Sequence, residues 1–384
     1  MSLRKEPFRL LFPVGVLLAW AGVAPWVLFG TGLLRSWPGV FHALTMTQAF
    51  LLAISVGFLG TMIPRRTGTP PMSWLELALA AAGVAVIPPA VAFGWLAAAE
   101  ISYLAVIVTL AQFAIRRMRR IAAPRPPVPP SFLFIPAGLI GGAAGAGLLI
   151  AFSFGAAPWS LGLGRALVQE AVLLALVLAL TPMLTPLILH GQAPPEPSPA
   201  SRRRTLRLHA LAAAALLASF PIQYLAWERG GLLLRGLVLA LEVAFAARIA
   251  TAPTVRGLHR RLYRLALLFV PLGPLTAAIW PALRIPALHL TFVGGLSLLV
   301  FAVSLHVVFL HTGREQVAGG RPWPVAVVGA LTLGAVAARV CAERFSTHYF
   351  EALTVAASLW LGAALVWGLF LAKMVAFKRR EQPG

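Results

Sequence analysis

Long apolar runs separated by short, arginine-rich segments extend over the whole chain. Most runs contain about 20 residues, the length of α-helix that crosses the ~30 Å hydrocarbon layer of a bilayer. Counting these runs predicts about twelve transmembrane helices, with the proline pair Pro88-Pro89 expected to interrupt the third. Their approximate cores are 10–31, 40–63, 73–92, 94–115, 132–153, 164–189, 206–227, 230–250, 262–280, 286–310, 323–342 and 349–372.

The composition supports this interpretation, because 59% of the residues are hydrophobic and only 11% are charged. Soluble domains carry about a quarter charged residues. We therefore predict an all-α polytopic protein that forms one transmembrane domain over 1–384 and has the lipid bilayer as a partner. The basic segment 1–9 runs directly into the first apolar run, so the first span is expected to be retained. The single cysteine, Cys341, excludes an intrachain disulfide and a cysteine-based metal cage.

The net charge of +21 is distributed as membrane topology predicts, so it does not indicate nucleic acid as a partner. Arginines and lysines are concentrated in alternate loops, and because cytoplasmic loops are enriched in them, both termini are predicted to be cytoplasmic. The proline-rich segments 122–130 and 193–201 are interpreted as short cytoplasmic linkers. The glycine-rich stretch 141–147 is flanked by apolar residues and predicts close helix packing. The predicted cytoplasmic groups are Arg4, Lys5 and Arg9; Arg65 and Arg66; Arg116 to Arg125; Arg202 to Arg207; Arg256 to Arg264; Arg314 and Arg321; and Lys378 to Arg380.

Spans 2, 6 and 10 share weak sequence similarity. Pro-x-x-Thr closes spans 2 and 6 at 64–67 and 182–185, and Thr-Gly closes spans 2 and 10 at 67–68 and 312–313. Spans 2 and 10 also begin alike, with FHALT and LHLT. Repeated helix sets are common in membrane proteins, although Thr, Pro and Gly also recur at helix ends by themselves. The predicted repeats cover about 1–121, 122–250 and 251–384.

Histidines give the main candidate chemistry. His42 and His289 lie at the same predicted depth near the outer ends of spans 2 and 10, where two neutral imidazoles could ligate one haem iron or share a copper ion. His306 lies seventeen residues after His289, about 25 Å away along the helix and ~100° around it, so it would belong to another site. The alternative is that these histidines cap helices or face lipid headgroups. His190, His209 and His259 are expected to contact solvent.

Several ionisable residues fall inside apolar runs, where they are functional candidates by default. An arginine in this setting, such as Arg165, could bind haem propionates, because guanidinium binds carboxylates in a bidentate manner. The alternative is a structural ion pair or a side chain that reaches the interface. The residues concerned are Glu100 with Tyr103, Glu170 near Arg165, Arg235 with Glu242, and Arg339 with Glu343.

Two long motifs, FHALTMTQAFLLAISVGFLGTMIPRRTGTPP at 41–71 and HLTFVGGLSLLVFAVSLHVVFLHTGR at 289–314, resemble the NnrS family. The resemblance implies a twelve-span bacterial inner-membrane protein linked to nitric oxide and nitrosative stress, containing haem and copper. It implies that His42, His289 and His311 are ligands or site residues. The implied fold is similar to the catalytic subunit of haem–copper oxidases, an analogy at the level of fold alone.

The chain departs from the family in the first motif, where the family pattern is similar to His-x-His-Glu-Met. Here Leu44 and Thr45 stand in place of the second histidine and the glutamate. A site built on both histidines would lose a ligand.

The leading hypothesis is thus a haem b protein, with copper as a further cofactor and nitric oxide or a similar small molecule as ligand. The first alternative is a polytopic transporter without a redox cofactor, since internal repeats and proline-interrupted helices are also features of transporters. The second is an accessory membrane protein of a respiratory enzyme.

Overall fold

The computed structural model describes residues 3–121, 128–193, 198–344 and 346–376. It is 85% helical, and the described residues form no strand. Eleven of the described helices are long and apolar enough to cross a membrane, which confirms the predicted all-α polytopic fold. The helices are α1 Phe8–Gly30, α2 Gly39–Thr67, α3 Trp74–Ala92, α4 Leu96–Met118, α5 Pro130–Ser153, α6 Trp159–His190, α7 Pro199–Ala226, α8 Glu228–Leu241, α9 Leu258–Ile279, α10 Pro281–His311, α11 Glu315–Gly319, α12 Trp323–Arg344 and α13 Tyr349–Ala376.

The predicted span at 230–250 differs most from the structure. It corresponds to α8 and a π-helical turn, Glu242–Ala246, and its charged residues keep it outside the eleven apolar helices. The interruption predicted at Pro88-Pro89 is wrong, because α3 continues to Ala92 with both prolines in its last turns. Membrane helices tolerate proline when neighbouring groups satisfy the freed backbone carbonyls. Parts of both predicted linkers, 122–127 and 194–197, and the basic residues Arg125 and Lys378 to Arg380 lie outside the described residues.

The chain divides into two compact units, and the first contains Met1–Gly22, Trp37–Thr181 and Pro195–Val238. In this unit α3 and α4 form an antiparallel pair, α4 packs on α5, and α5 packs on α6 and α7. Interhelical hydrogen bonds supplement the apolar contacts, such as the one from the Ser131 hydroxyl to the Ala179 carbonyl oxygen at 2.7 Å. Such bonds act as polar links between helices in lipid.

Arg117 connects the end of α4 to the start of α3, on the side away from the turn between the two helices. Its guanidinium donates to both carboxylate oxygens of Glu76 at 2.9 and 3.0 Å, and to the carbonyl oxygens of Pro70 and Pro71. The group also lies 3.9 Å from the ring centroid of Phe113. Glu76 in turn completes a capping box with Ser73 at the start of α3. One buried arginine therefore connects a helix cap, a loop and the neighbouring helix.

The second unit contains Val23–Ser36, Pro182–Pro194 and Leu239–Gly384. Here α9 packs along α10, and α12 and α13 form an antiparallel pair. The Thr291 hydroxyl donates to the Val270 carbonyl oxygen at 2.8 Å, which connects α10 to α9. The buried indole of Trp367 donates to the Ser304 hydroxyl at 2.8 Å and connects α13 to α10.

Three helices share one unusual construction, in which a π-helical segment interrupts the α-helix. The π segments are Thr45–Leu51 in α2, Leu167–Ala171 in α6 and Leu290–Ser297 in α10. These are the three spans whose sequences are weakly alike. A π segment inside a long helix frequently marks a functional site. The repeat stays a prediction.

The ends of α2 and α10 are also built alike. Each closes on a glycine in the left-handed conformation, Gly68 with φ 66° and Gly313 with φ 65°. In both helices the preceding threonine, Thr67 or Thr312, donates its hydroxyl hydrogen to the carbonyl oxygen four residues earlier at 2.7 Å. The Thr-Gly motif therefore marks a helix end that only glycine adopts without steric cost.

The glycines of α5 allow the close approach that the sequence predicted. A Cβ atom placed on Gly145 would lie 2.9 Å from the Gly164 carbonyl oxygen of α6 and 2.7 Å from the Leu167 Cβ. Gly147, two residues later on the same helix, has no neighbouring atom within 4 Å of that position. Small residues thus bring the two backbones together on one face of α5.

We expect Gly145→Ala to lower the free energy of unfolding by about 1–3 kcal/mol, because the added methyl group overpacks against backbone. Gly147→Ala is the matched control, and it should raise the same quantity by about 0.5–1 kcal/mol through reduced backbone entropy of the unfolded chain. Equilibrium unfolding in mixed micelles measures both. Equal effects of the two substitutions would contradict the proposed packing.

Candidate functional site

His42 and His289 occupy equivalent places in their helices. His42 lies three residues before the π segment of α2, and His289 immediately precedes the π segment of α10. Both side chains are half-buried. The His42 Nδ1 lies 3.0 Å from the Gly22 carbonyl oxygen, and the His289 Nδ1 lies 2.8 Å from the Ile285 carbonyl oxygen. Each imidazole is therefore oriented by a backbone carbonyl within its own unit.

These hydrogen bonds fix the tautomer of each ring. A carbonyl oxygen only accepts, so Nδ1 carries the hydrogen, and in the neutral imidazole the lone pair is on Nε2. His311 is held in the same way, with Nδ1 2.7 Å from the Val307 carbonyl oxygen. Metal-bound histidines characteristically donate their other ring N–H to such a group. The donor chemistry of these three imidazoles therefore fits ligation of iron or copper through Nε2.

His306 lies beside a histidine that the sequence did not connect with it. The His259 Nε2 is 3.3 Å from the His306 Nδ1, and both side chains are buried. The rings are 5.5 Å apart between centroids, and Phe309 packs edge-on against His259. One turn beyond His259, the buried Tyr263 hydroxyl lies 2.9 Å from the Thr185 hydroxyl oxygen.

The expectation that His259 and His209 contact solvent is wrong. Their side chains are 2% and 4% exposed, and His209 packs edge-on against Phe134. The arginines around His259 suggested a loop, but α9 begins at Leu258 and buries one face there. The spacing of His259 and Tyr263, four residues apart with Leu262 between them, could have indicated that face. His190 is half-buried and lies within hydrogen-bond distance of two threonine hydroxyls.

Arg165 is half-buried and forms no hydrogen bond or ion pair with any described residue. Its predicted neighbour Glu170 instead binds Arg235, whose NH1 donates to the Glu170 Oε2 at 2.8 Å. The remaining Arg235 donors reach the Ser219 hydroxyl at 3.1 Å and the Gln223 Oε1 at 2.8 Å. Three helices thus contribute to one buried ion pair, in which Arg235 has no exposed surface.

The guanidinium of Arg235 also lies 3.7 Å from the ring centroid of Phe220, so its flat face is covered as well. The ion pair predicted between Arg339 and Glu343 is present at 3.8 Å. Among the residues that the structure describes, no group of three or more His, Cys, Asp or Glu side chains is arranged to hold a metal ion.

A further polar group lies in the first unit. Glu100 is fully buried and accepts two hydrogen bonds from the Gln48 amide, at 2.9 and 3.0 Å. Gln48 belongs to the π segment of α2 and Glu100 to α4. Tyr103, on the same face of α4 one turn later, is also buried.

Apolar helices that enclose a buried ion pair, an isolated carboxylate and a pair of imidazoles define a multi-pass membrane protein with ionisable groups inside its helices. Side chains of this kind in membrane segments are functional candidates. The chain belongs to the NnrS family, since the family model described as NnrS protein matches residues 2–379. The resemblance inferred from the motifs of α2 and α10 is thereby confirmed. No match to the chain was found among curated proteins.

Proposed function

We propose that this NnrS-family protein is a bacterial inner-membrane haem b protein that acts in the response to nitric oxide or nitrosative stress. His42 and His289 are the proposed axial ligands, and both termini are proposed to be cytoplasmic. The observation that carries the proposal is the matched support of the two imidazoles. Each lies in a short α-helical segment that leads into a π segment, and each donates Nδ1–H to a backbone carbonyl.

The bound haem would supply an iron centre that can change its oxidation state, and a small gaseous ligand would bind there only by replacing one of the two imidazoles. The chain's own contribution is to hold the two rings in the ligating tautomer before any metal arrives, which reduces the entropy lost on binding. Arg165 is the proposed partner of a haem propionate, because its guanidinium is half-buried and has no carboxylate of its own among the described residues. His311 has a proposed second-site role, for which copper is the candidate metal.

The test is the haem content of purified protein expressed with haem available. We expect a Soret band in the unsubstituted protein, and a fall of bound haem to background in His289→Ala, because one axial ligand is lost. His348→Ala is the matched control, since His348 is exposed and pairs with Glu351. Absence of the Soret band, or unchanged haem in His289→Ala, would contradict the proposal.

The buried ion pair Arg235–Glu170 supports a second candidate function, because ionisable groups inside membrane helices also line transport pathways. A transporter would move its substrate without a redox cofactor. Substrate flux into proteoliposomes that contain neither haem nor copper would favour this function. Absence of flux in the same proteoliposomes would contradict it.

A further inference from the structure

Glu100 differs from Glu170 and Glu76 because it has no cationic partner among the described residues. Glu170 binds Arg235 and Glu76 binds Arg117, whereas Glu100 is bonded only to the Gln48 amide within the part of the chain that the structure describes. The side chains of Glu100 and Gln48 are both 0% exposed. An isolated carboxylate in an apolar interior is strongly unfavourable, so the charge requires a proton or a bound cation.

Three oxygens on the two helices that carry Glu100 and Gln48 have no partner in the described part of the chain. The Gln48 Oε1, the Tyr103 hydroxyl and the Thr45 hydroxyl are all buried and have no hydrogen-bond partner among the described residues. Each unpaired buried polar atom costs about 1–3 kcal/mol. The Gln48 Oε1 is the critical one, because it belongs to the amide that contacts Glu100. This oxygen can accept a hydrogen bond, and the neighbouring Glu100 carboxyl can donate one when it is protonated.

We propose that Glu100 and Gln48 form a proton-binding site inside the membrane, in which Gln48 turns its amide to follow the protonation of Glu100. When Glu100 is ionised, the Gln48 NH₂ group donates to the carboxylate. When a proton from bulk water forms an O–H bond on Glu100, the amide rotates and Oε1 accepts that O–H. Release of the proton to water restores the first arrangement, and no oxidant or reductant is involved.

A cation fits the same group less well. The Gln48 NH₂ donors lie against both carboxylate oxygens and would repel a metal ion placed there. The titratable groups on the surrounding helices are few. Within the described residues α5 has none, Glu76 of α3 is bonded to Arg117, and His42 of α2 is bonded to Gly22. The π segment of α6 packs against that of α2 and contains Glu170, which is bonded to Arg235. Tyr103 is the titratable group nearest to Glu100 on its own helix. The proposal is independent of haem binding.

The first test is the infrared spectrum of the protein in lipid nanodiscs across a pH series. We expect a carboxylic acid C=O band that shifts in D₂O, disappears as the pH rises and is absent at every pH from Glu100→Gln. Glu351→Gln, at an exposed glutamate, is the matched control and should keep the band. Gln48→Ala should move the band to higher frequency, because the O–H loses its acceptor, and this variant serves where Glu100→Gln does not fold.

The second test is thermal stability. The melting temperature of the unsubstituted protein should fall as the pH rises, because deprotonation leaves an uncompensated charge, and Glu100→Gln should lose this dependence. Stabilisation of the unsubstituted protein by sodium chloride over choline chloride, without a C=O band, would overturn the proposal in favour of a cation site. Carboxylate bands alone at every pH, with no effect of sodium, would overturn it as well.

Discussion

Arg235→Leu should lower the free energy of unfolding by about 3–5 kcal/mol, the cost of leaving one member of a buried ion pair without its partner. The substitution removes the only cationic partner of Glu170 among the described residues and frees the Gln223 Oε1 and the Ser219 hydroxyl from their donor. Equilibrium unfolding in mixed micelles gives the magnitude. Arg229→Leu, at an exposed arginine in the first turn of α8, is the matched control and should have little effect.

The double variant Arg235→Leu with Glu170→Leu shows how much of the lost stability comes from the unpaired charge and how much from altered packing. Replacing both members of a buried pair by apolar residues is often neutral, so much of the lost stability should return. A double variant as unstable as the single one would mean that shape, and not the uncompensated carboxylate, dominates the cost.

Arg117→Met should have the second largest effect, a loss of about 3 kcal/mol in the free energy of unfolding. Methionine keeps the length of the side chain but removes the donors to Glu76, Pro70 and Pro71. Because those donors connect α3, α4 and the preceding loop, proteolysis between 68 and 73 should also become faster. Cleavage rates and unfolding curves measured on the same preparation provide the two readouts.

Arg116→Met is the control for this prediction, since Arg116 is the adjacent, exposed residue on α4. Arg117→Lys adds a second comparison, because lysine retains the charge but lacks the planar fork that binds both oxygens of Glu76. We expect Arg117→Lys to recover only part of the stability. Full recovery would show that charge alone matters at this position.

Hydropathy was sufficient to predict eleven of the twelve spans, because a transmembrane helix must satisfy its own backbone and be apolar along its length. The predicted span 132–153 and the helix Pro130–Ser153 differ by two residues at one end. The glycine contacts of α5 also followed from sequence, since small residues among apolar ones have few other uses in a membrane. Both the positions of the helices and the close contacts of α5 can therefore be predicted from local hydropathy and composition.

Partners from different helices could not be predicted in the same way. Sequence spacing placed Glu170 near Arg165, but its partner is Arg235, 65 residues later. The pairing of His259 with His306 spans 47 residues and was missed for the same reason. A single sequence records which residues are ionisable and how deep they lie. Which of them meet depends on helix rotation, which is set by packing against neighbours.

The π segments of α2 and α10 affect that rotation directly. Each inserts extra backbone between the histidine end of the helix and its Thr-Gly end, and one added residue offsets the two parts by ~100° about the axis. The direction in which the imidazole points around the helix axis is therefore independent of the direction of the side chains in the Thr-Gly half. Such a helix can re-aim its histidine by gaining or losing a single residue, while the opposite half keeps its existing contacts.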